Sequence, residues 1–247
     1  MVLLPTYQEA DNIVSMLDAL RAAVPGAAVV VIDDDSPDGT GKLADEAAGD
    51  DPRISVLHRD GKHGLGAAYR DGFAEVLRRG DDVVVTMDCD LSHDPAVVPA
   101  MLAEIERGAD LVIGSRYVPG GGTVDWPLRR RALSRWGNRY TARALRLPVR
   151  DCTSGFRAYR AELLARIEPA TTSADGYAFL TELVRRSVEA RGRVVEVPIT
   201  FRDRQRGVSK MSMAVIVESM FRVTVWGLAD RVPGGWRSVA DRRPARR

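Results

Sequence analysis

Two carboxylates stand one residue apart near the middle of the chain, in the stretch TMDCDLSHDP at residues 86–95. Asp88 and Asp90 follow the apolar run Val83–Val85, which predicts a buried strand. If the strand continues to Asp90, both carboxylates lie on one side of it. Carboxylate oxygens suit Mg²⁺ or Mn²⁺, which keep open positions for phosphate oxygens. Alternatively the acids form a solvated turn, with Asp94 capping the next helix. The pair alone does not decide between these two readings.

A second acidic stretch, VVVIDDDSPDGT, places Asp33 at the end of another apolar run. A carboxylate at a strand end can accept hydrogen bonds from ribose hydroxyls or a base edge. Turn chemistry alone explains Asp38 and Gly39 well, but it explains Asp33 less well. Asp33 is therefore a candidate nucleotide contact.

A glycine-rich stretch, GKHGLGAAYRDG, brings Gly61, Gly64 and Gly66 together with Lys62 before a predicted helix. Backbone N–H groups at such a helix start attract phosphate. The spacing does not match the G-x-G-x-x-G of dinucleotide-binding dehydrogenases, so we reject that class. His63 in this stretch is predicted to be a solvated loop residue.

Arginine dominates two later stretches. Arg116 ends the run IGSR, and residues 126–150 contain no acidic residue. The arginines of this acid-free stretch are Arg129, Arg130, Arg131, Arg135, Arg139, Arg143, Arg146 and Arg150. Those at 131, 135, 139 and 143 form one ridge of a helix, beside an aromatic and apolar ridge at 128, 132, 136, 140 and 144. This pattern favours a helix in the headgroup plane of an anionic membrane. Nucleic acid is the competing partner, and an ordinary surface helix is a third possibility.

The stretch FRDRQRGVSK places Arg204 and Lys210 in a short segment with Gly207 and Ser209. Cations on a mobile loop can close over a diphosphate and later release it. The apolar stretch Met211–Ala229 that follows predicts a helix, which either packs on the core or lies at a membrane interface.

These motifs require elements that bring them together, and the apolar pattern predicts an α/β fold with a mostly parallel sheet covered on both faces. The predicted strands are Val2–Leu4, Ala28–Ile32, Ile54–Leu57, Val83–Met87, Leu111–Ile113 and Val194–Val197. The predicted helices are Asn12–Ala23, Thr40–Ala48, Leu65–Arg78, Ala96–Arg107, Leu128–Leu147, Ala161–Ile167, Tyr177–Ala190 and Met211–Ala229. Ligands bind at the carboxyl ends of such strands, where PTYQE, DDDSPDGT, DCD and GSR all fall.

Size and composition fit one domain across residues 1–230, followed by a basic flexible tail at 231–247. The chain has 247 residues, 45% of them hydrophobic and 28% charged, with a net charge of +2. Its two cysteines make no disulfide framework, so we expect a reduced cytoplasmic protein. No apolar stretch reaches the roughly 20 residues of a membrane span, and the start lacks a signal-peptide pattern. The first strand is short for its position, so a few residues are expected to be missing before it.

Seven motifs in order resemble the inverting GT-A glycosyltransferases of family 2, and among them the polyprenyl (dolichyl) phosphate mannosyltransferases of actinobacterial type. The motifs are PTYQEADNI, VIDDDSPDGT, GKHGLGAAYRDG, MDCDLSHDP, VIGSRYVPGG, TSGFRAYR and RQRGVSK. The resemblance covers Leu4 to about Lys210. It implies a GT-A nucleotide-sugar-binding sheet with a donor half at about 1–118 and an acceptor and interface half at about 119–230. It also implies transfer of mannose from GDP-mannose to a polyprenyl phosphate, at the inner face of the cell membrane, with no role for nucleic acid.

The same resemblance implies roles for individual residues. The implied donor contacts are Pro5, Tyr7, Glu9, Ile32, Asp33, Lys62, Gly64, Asp88, Asp90, Arg204 and Lys210. The implied ligands of Mg²⁺ or Mn²⁺ are Asp88, Asp90 and Ser92, and the implied acceptor-phosphate contacts are Arg116, Arg130 and Ser134. Asp90, Arg116 and Arg204 would be catalytic. Ser92 departs from the pattern, since some relatives have Gln there, and so do Gln8 for Asn and Cys89 for Ala.

The implied acceptor is a phosphate monoester, which is already anionic and needs no general base. This agrees with the lack of a convincing His–carboxylate pair in the sequence. One rival is a glucosyltransferase using UDP-glucose, and another is a non-catalytic membrane-surface subunit that binds a nucleotide-sugar. A sugar-1-phosphate nucleotidyltransferase would have a glycine-rich loop after the first strand, where this chain has PTYQE. The sequence does not decide whether a separate partner protein anchors this chain to the membrane.

Overall fold

The computed structural model describes residues 1–203 and 213–231 of the chain. The strands are β1 (Val2–Thr6), β2 (Val29–Asp33), β3 (Ile54–His58), β4 (Val83–Thr86), β5 (Leu111–Ser115), β6 (Gly122–Val124), β7 (Arg157–Arg160), β8 (Val194–Pro198) and β9 (Thr200–Arg202). The α-helices are α1 (Ile13–Ala23), α2 (Thr40–Asp50), α3 (Leu65–Arg79), α4 (Val98–Glu106), α5 (Leu128–Ala144), α6 (Ala161–Ile167), α7 (Gly176–Glu189) and α8 (Met213–Ala229). Short 3₁₀ turns lie at Pro95–Val97 and Pro169–Thr171.

Seven strands form one sheet in the order β3-β2-β1-β4-β7-β5-β8. All are parallel except β7, which runs antiparallel to both β4 and β5. A separate parallel pair joins β6 to β9. The predicted mostly parallel α/β sheet is therefore confirmed.

Successive side chains of the central strands alternate between two cores, one on each face of the sheet. Leu3, Val30 and Ile32 pack in the core that includes Tyr69 and Phe73 of α3. The alternate strand positions pack in the second core with residues of α1 and α4. Each fully buried aliphatic side chain contributes about 1.5–3 kcal/mol relative to exposure. This two-sided burial explains why the strands are apolar throughout, and it fixes the positions of the loops at the carboxyl edge.

The predicted helices and parallel strands all form, with ends shifted by a few residues. Helix α5, for example, ends at Ala144 rather than at Leu147. Strand β4 ends at Thr86, so the strand does not continue to Asp90 and the same-side argument for the two carboxylates does not apply. The apolar pattern of the sequence does not predict β6, β7 or β9. Strand β7, RAYR, begins and ends with arginine and has no apolar run.

Two sequence predictions lie outside the described residues. Arg204 and Lys210, predicted for a loop that closes over the donor, fall between the described ranges. Most of the predicted tail at 231–247 also falls outside them. The division into a donor half and an acceptor half stays a prediction.

Candidate active site

The carboxyl ends of β1 and β2 lie side by side, with Thr6 in register with Asp33. Asp33 is buried and accepts hydrogen bonds from Thr6 Oγ1 at 3.0 Å and from the Ser36 backbone N–H at 3.1 Å. The Ser36 hydroxyl donates to the same carboxylate at 2.6 Å. Gly41 leaves the room this carboxylate needs, because a Cβ there would lie 2.8 Å from Asp33 Oδ2. These partners are neutral, so they fix the carboxylate without cancelling its charge.

The next residue, Asp34, has a different environment. Its Oδ1 pairs with Nη1 of Arg59, and Arg59 Nε reaches Asp71 Oδ2 at 2.8 Å. The Arg59 side chain is only 8% exposed. Of two neighbouring acids at the end of β2, Asp34 is thus neutralised within the fold, whereas Asp33 is held by neutral donors.

The first motif, PTYQE, lies beside the glycine-rich loop. The ring of Tyr7 lies beneath Lys62, with Nζ 4.2 Å from the ring centroid. Glu9 is buried, its backbone N–H donates to Thr40 Oγ1 at 2.9 Å, and its Oε2 accepts from Asn12 Nδ2 at 2.8 Å. The exposed ammonium of Lys62 and the main chain before α3 therefore face the same edge as Asp33.

The DCD motif forms a turn beyond β4. Asp90 is buried and its Oδ1 accepts from the Ser92 backbone N–H at 3.1 Å, while Leu91 between them has a left-handed φ of 60°. The Asp88 side chain is 32% exposed. Asp94 caps the 3₁₀ turn as predicted, since its Oδ1 accepts from Ala96 N–H at 2.9 Å. We call Asp33, Asp88 and Asp90 the acidic edge.

The oxygen atoms of this turn fit a hard divalent cation. Ser92 Oγ is buried and has no hydrogen-bond partner among the described residues. Within residues 1–203 and 213–231, no cluster of three or more His, Cys, Asp or Glu side chains is arranged to hold a metal. Mg²⁺ commonly takes one or two carboxylates and completes its shell with water and substrate phosphates. Asp88 and Asp90, with the unsatisfied Ser92 hydroxyl beside them, match that donor set.

His93 connects this turn to the second half of the site. Its Nδ1 accepts a hydrogen bond from the Asp88 backbone N–H at 3.3 Å. The imidazole stacks on Phe156 at 5.1 Å and meets Phe201 edge-on at 5.4 Å, both between ring centroids. Burial lowers the pKa of His93, although the charges of Asp88 and Asp90 act in the opposite direction. The imidazole is therefore neutral at neutral pH and shapes the Asp88 turn.

Arg116, at the end of β5, is held by a buried carboxylate. Its Nε and Nη2 donate to Asp151 Oδ2 and Oδ1, both at 2.7 Å, and Nη2 also donates to Thr153 Oγ1 at 2.8 Å. Asp151 is fully buried. Burial alone would raise the pKa of Asp151, but the charge and hydrogen bonds of Arg116 outweigh it and leave that pKa below its ordinary value. This bidentate pair fixes the direction of the guanidinium.

Aromatic rings surround the same guanidinium. The Cζ of Arg116 lies 5.3 Å from the ring centroid of Tyr117, 5.7 Å from that of Trp126 and 5.5 Å from that of Phe201. Arg130 also contacts Trp126, with its Cζ 4.0 Å from the ring centroid. The rings around Arg116, whose side chain is 8% exposed, exclude water from its guanidinium, and this strengthens its electrostatic interactions.

Ser134 and Asp203 complete this part of the structure. Tyr117 donates its hydroxyl to Ser134 Oγ at 2.6 Å, and Arg130 Nη1 bonds Asp203 Oδ2 at 2.7 Å. Helix α5 has no acidic residue in its first turn, where Arg129, Arg130 and Arg131 stand. The three arginines add positive charge at the N-terminus of α5, where the helix dipole is also positive. A bound anion is therefore stabilised at this end of the helix.

Helices α5, α7 and α8 enclose a cavity of about 140 Å³ beside Arg116, which we call the inner cavity. Its polar lining includes Arg116, Arg130, Ser134, Asn138 and Thr153. Its apolar lining includes Leu133, Trp136, Met220 and Val223. The inner cavity can therefore receive an anionic group that is attached to an apolar chain.

Helix α8 uses two opposite faces. Val223 and Trp226 are buried in the core, whereas Val217, Phe221 and Leu228 are each about 60–70% exposed. The core-packing alternative for this stretch is confirmed by Val223 and Trp226, whereas the position of α8 at a membrane interface stays a prediction. On α5 the predicted ridge arginines are exposed, beside exposed Trp136. None of the described helices has the length and apolar character needed to span a membrane.

The remaining predicted residues lie in several environments. Pro5 is half-buried in β1, Gly64 precedes α3 with a φ of +89°, and the Ile32 side chain is in the core. Asp151 was not among the predicted site residues. It is the first acid after the acid-free, arginine-rich stretch 126–150, and that position could have indicated a partner for one of the arginines. The ring contacts of Phe201 were not predicted either, and the sequence offers no signal for them.

Comparison with known proteins identifies relatives of this chain. Residues 1–168 match the family model for glycosyl transferase family 2. A polyprenol monophosphomannose synthase of Mycolicibacterium smegmatis is 47% identical, over 94% of this chain and 88% of its own. An undecaprenyl-phosphate mannosyltransferase of Micrococcus luteus is 47% identical, over 95% of this chain and 96% of its own. A dolichol-phosphate mannosyltransferase of Pyrococcus furiosus is 36% identical, over 94% of this chain and 65% of its own.

Solved structures show the same fold. Glucosyl-3-phosphoglycerate synthase from Mycobacterium tuberculosis, in complex with Mn²⁺, UDP and glucosyl-3-phosphoglycerate, superposes with a TM-score of 0.66 at 22% identity, over 94% of this chain and 80% of that one. The same enzyme with Mn²⁺, UDP-glucose and phosphoglyceric acid gives a TM-score of 0.67 at 24% identity, over 94% and 79%. At this identity the likeness concerns the fold.

Proposed function

The chain belongs to glycosyl transferase family 2, and we propose that it transfers mannose from GDP-mannose to a polyprenyl phosphate, with inversion at the sugar carbon. The observation that carries this proposal is the inner cavity, which joins apolar walls to the guanidinium of Arg116. Phe201 contacts both Arg116 and His93, and His93 accepts a hydrogen bond from the Asp88 backbone N–H of the acidic edge. The family relatives at 47% identity are named for mannose and for lipid phosphates of this kind.

On the donor side, Asp33 accepts hydrogen bonds from the guanosine, with Pro5, Tyr7 and Glu9 beside it. Neutral donors already orient the Asp33 carboxylate, which supports a role as an acceptor for a polar ligand. Lys62 and the main chain at Gly64 face the diphosphate, because an exposed ammonium and N–H groups before a helix favour anions. The Ile32 side chain is buried in the core, so its contact with the donor is through the main chain.

Asp88 and Asp90 would hold Mg²⁺ or Mn²⁺ together with the donor diphosphate. Ser92 would add its hydroxyl oxygen, which has no partner among the described residues. A divalent cation bound there supplies positive charge that stabilises the leaving diphosphate. Asp90 is buried and tied to the Ser92 N–H, so the turn presents its oxygens in a fixed arrangement.

On the acceptor side, Arg116, Arg130 and Ser134 bind the lipid phosphate at the inner cavity. Asp151 orients Arg116 and offsets part of its charge. Asp203 offsets part of the charge of Arg130 in the same way, so the excess positive charge comes mainly from Arg129, Arg131 and the helix dipole. The first isoprenoid units lie against Leu133, Trp136 and Met220.

The chemistry is then chiefly positioning and electrostatics. An acceptor phosphate oxygen attacks the anomeric carbon, the bond from that carbon to the diphosphate breaks, and the electron pair leaves with GDP. The nucleophile is anionic before it reacts, so no side chain must remove a proton. Attack from the side opposite the leaving group gives a β-mannosyl phosphate lipid. Arg204 and Lys210 are proposed to close over the donor on the sequence resemblance alone.

Donor and acceptor competition tests this assignment. The purified protein is given GDP-mannose or UDP-glucose with a short polyprenyl phosphate, and the extracted lipid is analysed by mass. We expect a mannosyl product and little glucosyl product. Glucose transfer from UDP-glucose without mannose transfer would replace the proposed donor, and transfer from neither would support a non-catalytic binding subunit.

A further inference from the structure

A second concavity between α5 and α8 opens to the outer surface. This outer groove has a volume of about 520 Å³, and its lining includes Trp136, Arg139, Tyr140, Arg143, Leu228 and Arg231. Trp136 also lines the inner cavity, so the two concavities share one wall. The outer groove has no part in the transfer reaction as described above.

Helix packing determines the shape of the groove. A Cβ at Gly227 would lie 2.8 Å from Ala144 O, so this glycine permits close approach of α8 to the end of α5. Tyr140 and Thr224 share a hydrogen bond of 2.7 Å between their hydroxyl oxygens. Trp136 and Tyr140 stack with centroids 5.7 Å apart. Arg231 Nη1 donates to Gly227 O at 2.5 Å, which holds the third guanidinium of the groove in place.

The charge of the groove is uncompensated in the described part of the chain. Arg139 and Arg143 are exposed, stand four residues apart on α5, and have no ion-pair partner among the described residues. Like charges at this spacing destabilise a helix. The lining contains three arginines and no carboxylate, so a bound anion would remove the repulsion. Arginine matches phosphate oxygens in a bidentate manner.

Exposed apolar side chains surround this cationic groove. Trp136 is 57% exposed and Leu228 is 59% exposed, and Phe221 and Val225 of α8 are 68% and 46% exposed. Nucleic acid would satisfy the arginines but would leave aliphatic side chains in water. A phospholipid satisfies both, because its phosphate lies among acyl chains and aromatic side chains settle at the headgroup level.

We propose that the outer groove binds the phosphate headgroup of an anionic phospholipid in a bilayer, at a site separate from the inner cavity. Arg139, Arg143 and Arg231 contact the phosphate, and the exposed side chains of α8 enter the acyl region. Because Trp136 separates the two concavities, this contact turns the inner cavity toward the membrane. The proposal does not require the mannosyltransferase assignment.

Vesicle co-sedimentation of the full chain tests the site. The vesicles are phosphatidylcholine alone, or phosphatidylcholine with about one-third phosphatidylglycerol. We expect binding to the anionic vesicles, and a loss of about tenfold or more in the double variant R139Q/R143Q, since each arginine near an anionic surface contributes about 1 kcal/mol. Inorganic phosphate or duplex RNA at matched phosphate concentration leaves vesicle binding nearly unchanged.

Two matched double variants remove the same charge elsewhere. R131Q/R135Q lies on the same helix outside the groove, and R166Q/R191Q lies outside both α5 and α8, on α6 and after α7. We expect both to lose less binding than R139Q/R143Q, with R166Q/R191Q close to wild type. Equal losses of vesicle binding in R139Q/R143Q and R131Q/R135Q would contradict a specific site in the outer groove. They would indicate non-specific electrostatic attraction to the anionic surface instead. Equal binding to both kinds of vesicle, or displacement by phosphate or RNA, would also overturn the proposed site.

A transfer assay separates this proposal from the proposed function. Mannose transfer to a water-soluble short-chain polyprenyl phosphate, without vesicles, stays within about twofold of wild type in R139Q/R143Q. If that variant loses transfer in solution as well, the groove is not a separate site. If the wild-type protein transfers no mannose at all, the proposed function fails, whereas the vesicle comparison still decides the groove.

Discussion

The acidic edge and the arginine-rich side of the site are built in opposite ways. At the acidic edge, Asp33 and Asp90 accept hydrogen bonds from neutral groups of Thr6, Ser36 and Ser92. On the other side, Arg116 is held by the carboxylate of Asp151 and enclosed by aromatic rings. Asp33 ends a buried strand and Asp88 and Asp90 follow one, whereas Arg129, Arg130 and Arg131 stand on helix α5.

This difference indicates what each side must do. Anionic side chains that keep their charge attract a cation, and through it a diphosphate. A buried guanidinium would be costly without a partner, and Asp151 removes that cost while fixing its direction. The acidic edge holds one anion through a bound cation, whereas the arginine-rich side holds the second anion directly. The two sides therefore bring two anions together with side chains of opposite charge. Three substitutions, one pH series and one measurement of thiol reactivity test this contrast, in order of decreasing effect.

The first change removes charge from the acidic edge. Asp90→Asn keeps the shape of the side chain but weakens cation binding. We expect turnover to fall more than about a hundredfold, because even residues that only support metal ligands contribute about 10–100-fold. The measurement is radiolabel transfer beside thermal unfolding of the same sample.

Asp94→Ala is the matched control for that change, since it removes an acid of the same loop that caps the 3₁₀ turn. It should cost about 1 kcal/mol of stability and leave turnover near wild type. Comparable loss of turnover in both variants would mean that the loop, rather than the Asp90 charge, matters.

The second change breaks the arginine-rich side. Asp151→Asn leaves the Arg116 guanidinium, 8% exposed, without its carboxylate. We expect a loss of about 3–5 kcal/mol in the free energy of unfolding, measured in urea. Glu104→Gln breaks a surface pair with Arg107, whose side chain is 68% exposed, and should cost less than about 1 kcal/mol. Similar losses in the two variants would show that the buried ion pair contributes no more to stability than the surface pair.

The same variant has a defined pH dependence. The pKa of Asp151 is lowered in the folded state from the ordinary value of 3.8. Its ionised form therefore stabilises the fold above about pH 3.8, and this contribution is lost as the pH falls through the folded-state pKa. The stability difference between wild type and Asp151→Asn should shrink as the pH falls from neutral into that range. A difference that stays constant down to about pH 3 would contradict the assignment.

The sequence predicted the acidic edge better than the arginine-rich side, for a physical reason. Strands such as VVVID are apolar up to a polar last residue. Because parallel strands place their carboxyl ends at one edge of the sheet, Asp33 and Asp88 could be predicted to lie at the same edge. The partners of Arg116 come from separate parts of the chain: Asp151 lies 35 residues away. Strand β7 was missed because Arg157 is fully buried among carbonyl groups, including those of Ser154 and Leu180, which no local pattern reveals.

The third change concerns acceptor binding. Arg130→Gln should raise the KM for the lipid phosphate about tenfold and leave the KM for GDP-mannose nearly unchanged, because a charge-assisted hydrogen bond contributes about 1.5–3 kcal/mol. Arg129→Gln removes the same charge from the neighbouring exposed position and should have a smaller effect. A rise in both KM values, or equal effects of the two variants, would place Arg130 outside the acceptor site.

The smallest effect concerns a cysteine beside the buried pair. Burial raises the pKa of Cys152 to about 12, and its backbone N–H is bonded to Asn138 at 2.7 Å. We expect this thiol to be unreactive toward a disulfide reagent in the folded protein and to react fully in denaturant. Stoichiometric reaction in the folded state at neutral pH would show that the Asp151 loop opens readily.

We propose that positive charge bound at the acidic edge and guanidiniums at the inner cavity bring two anions together for sugar transfer. The decisive experiment is transfer of labelled mannose from GDP-mannose to a short polyprenyl phosphate, with and without a chelator. We expect a β-mannosyl phosphate lipid whose formation stops with chelator and resumes when excess Mg²⁺ or Mn²⁺ is added. Undiminished transfer in chelator, or a product with retained configuration, would contradict it.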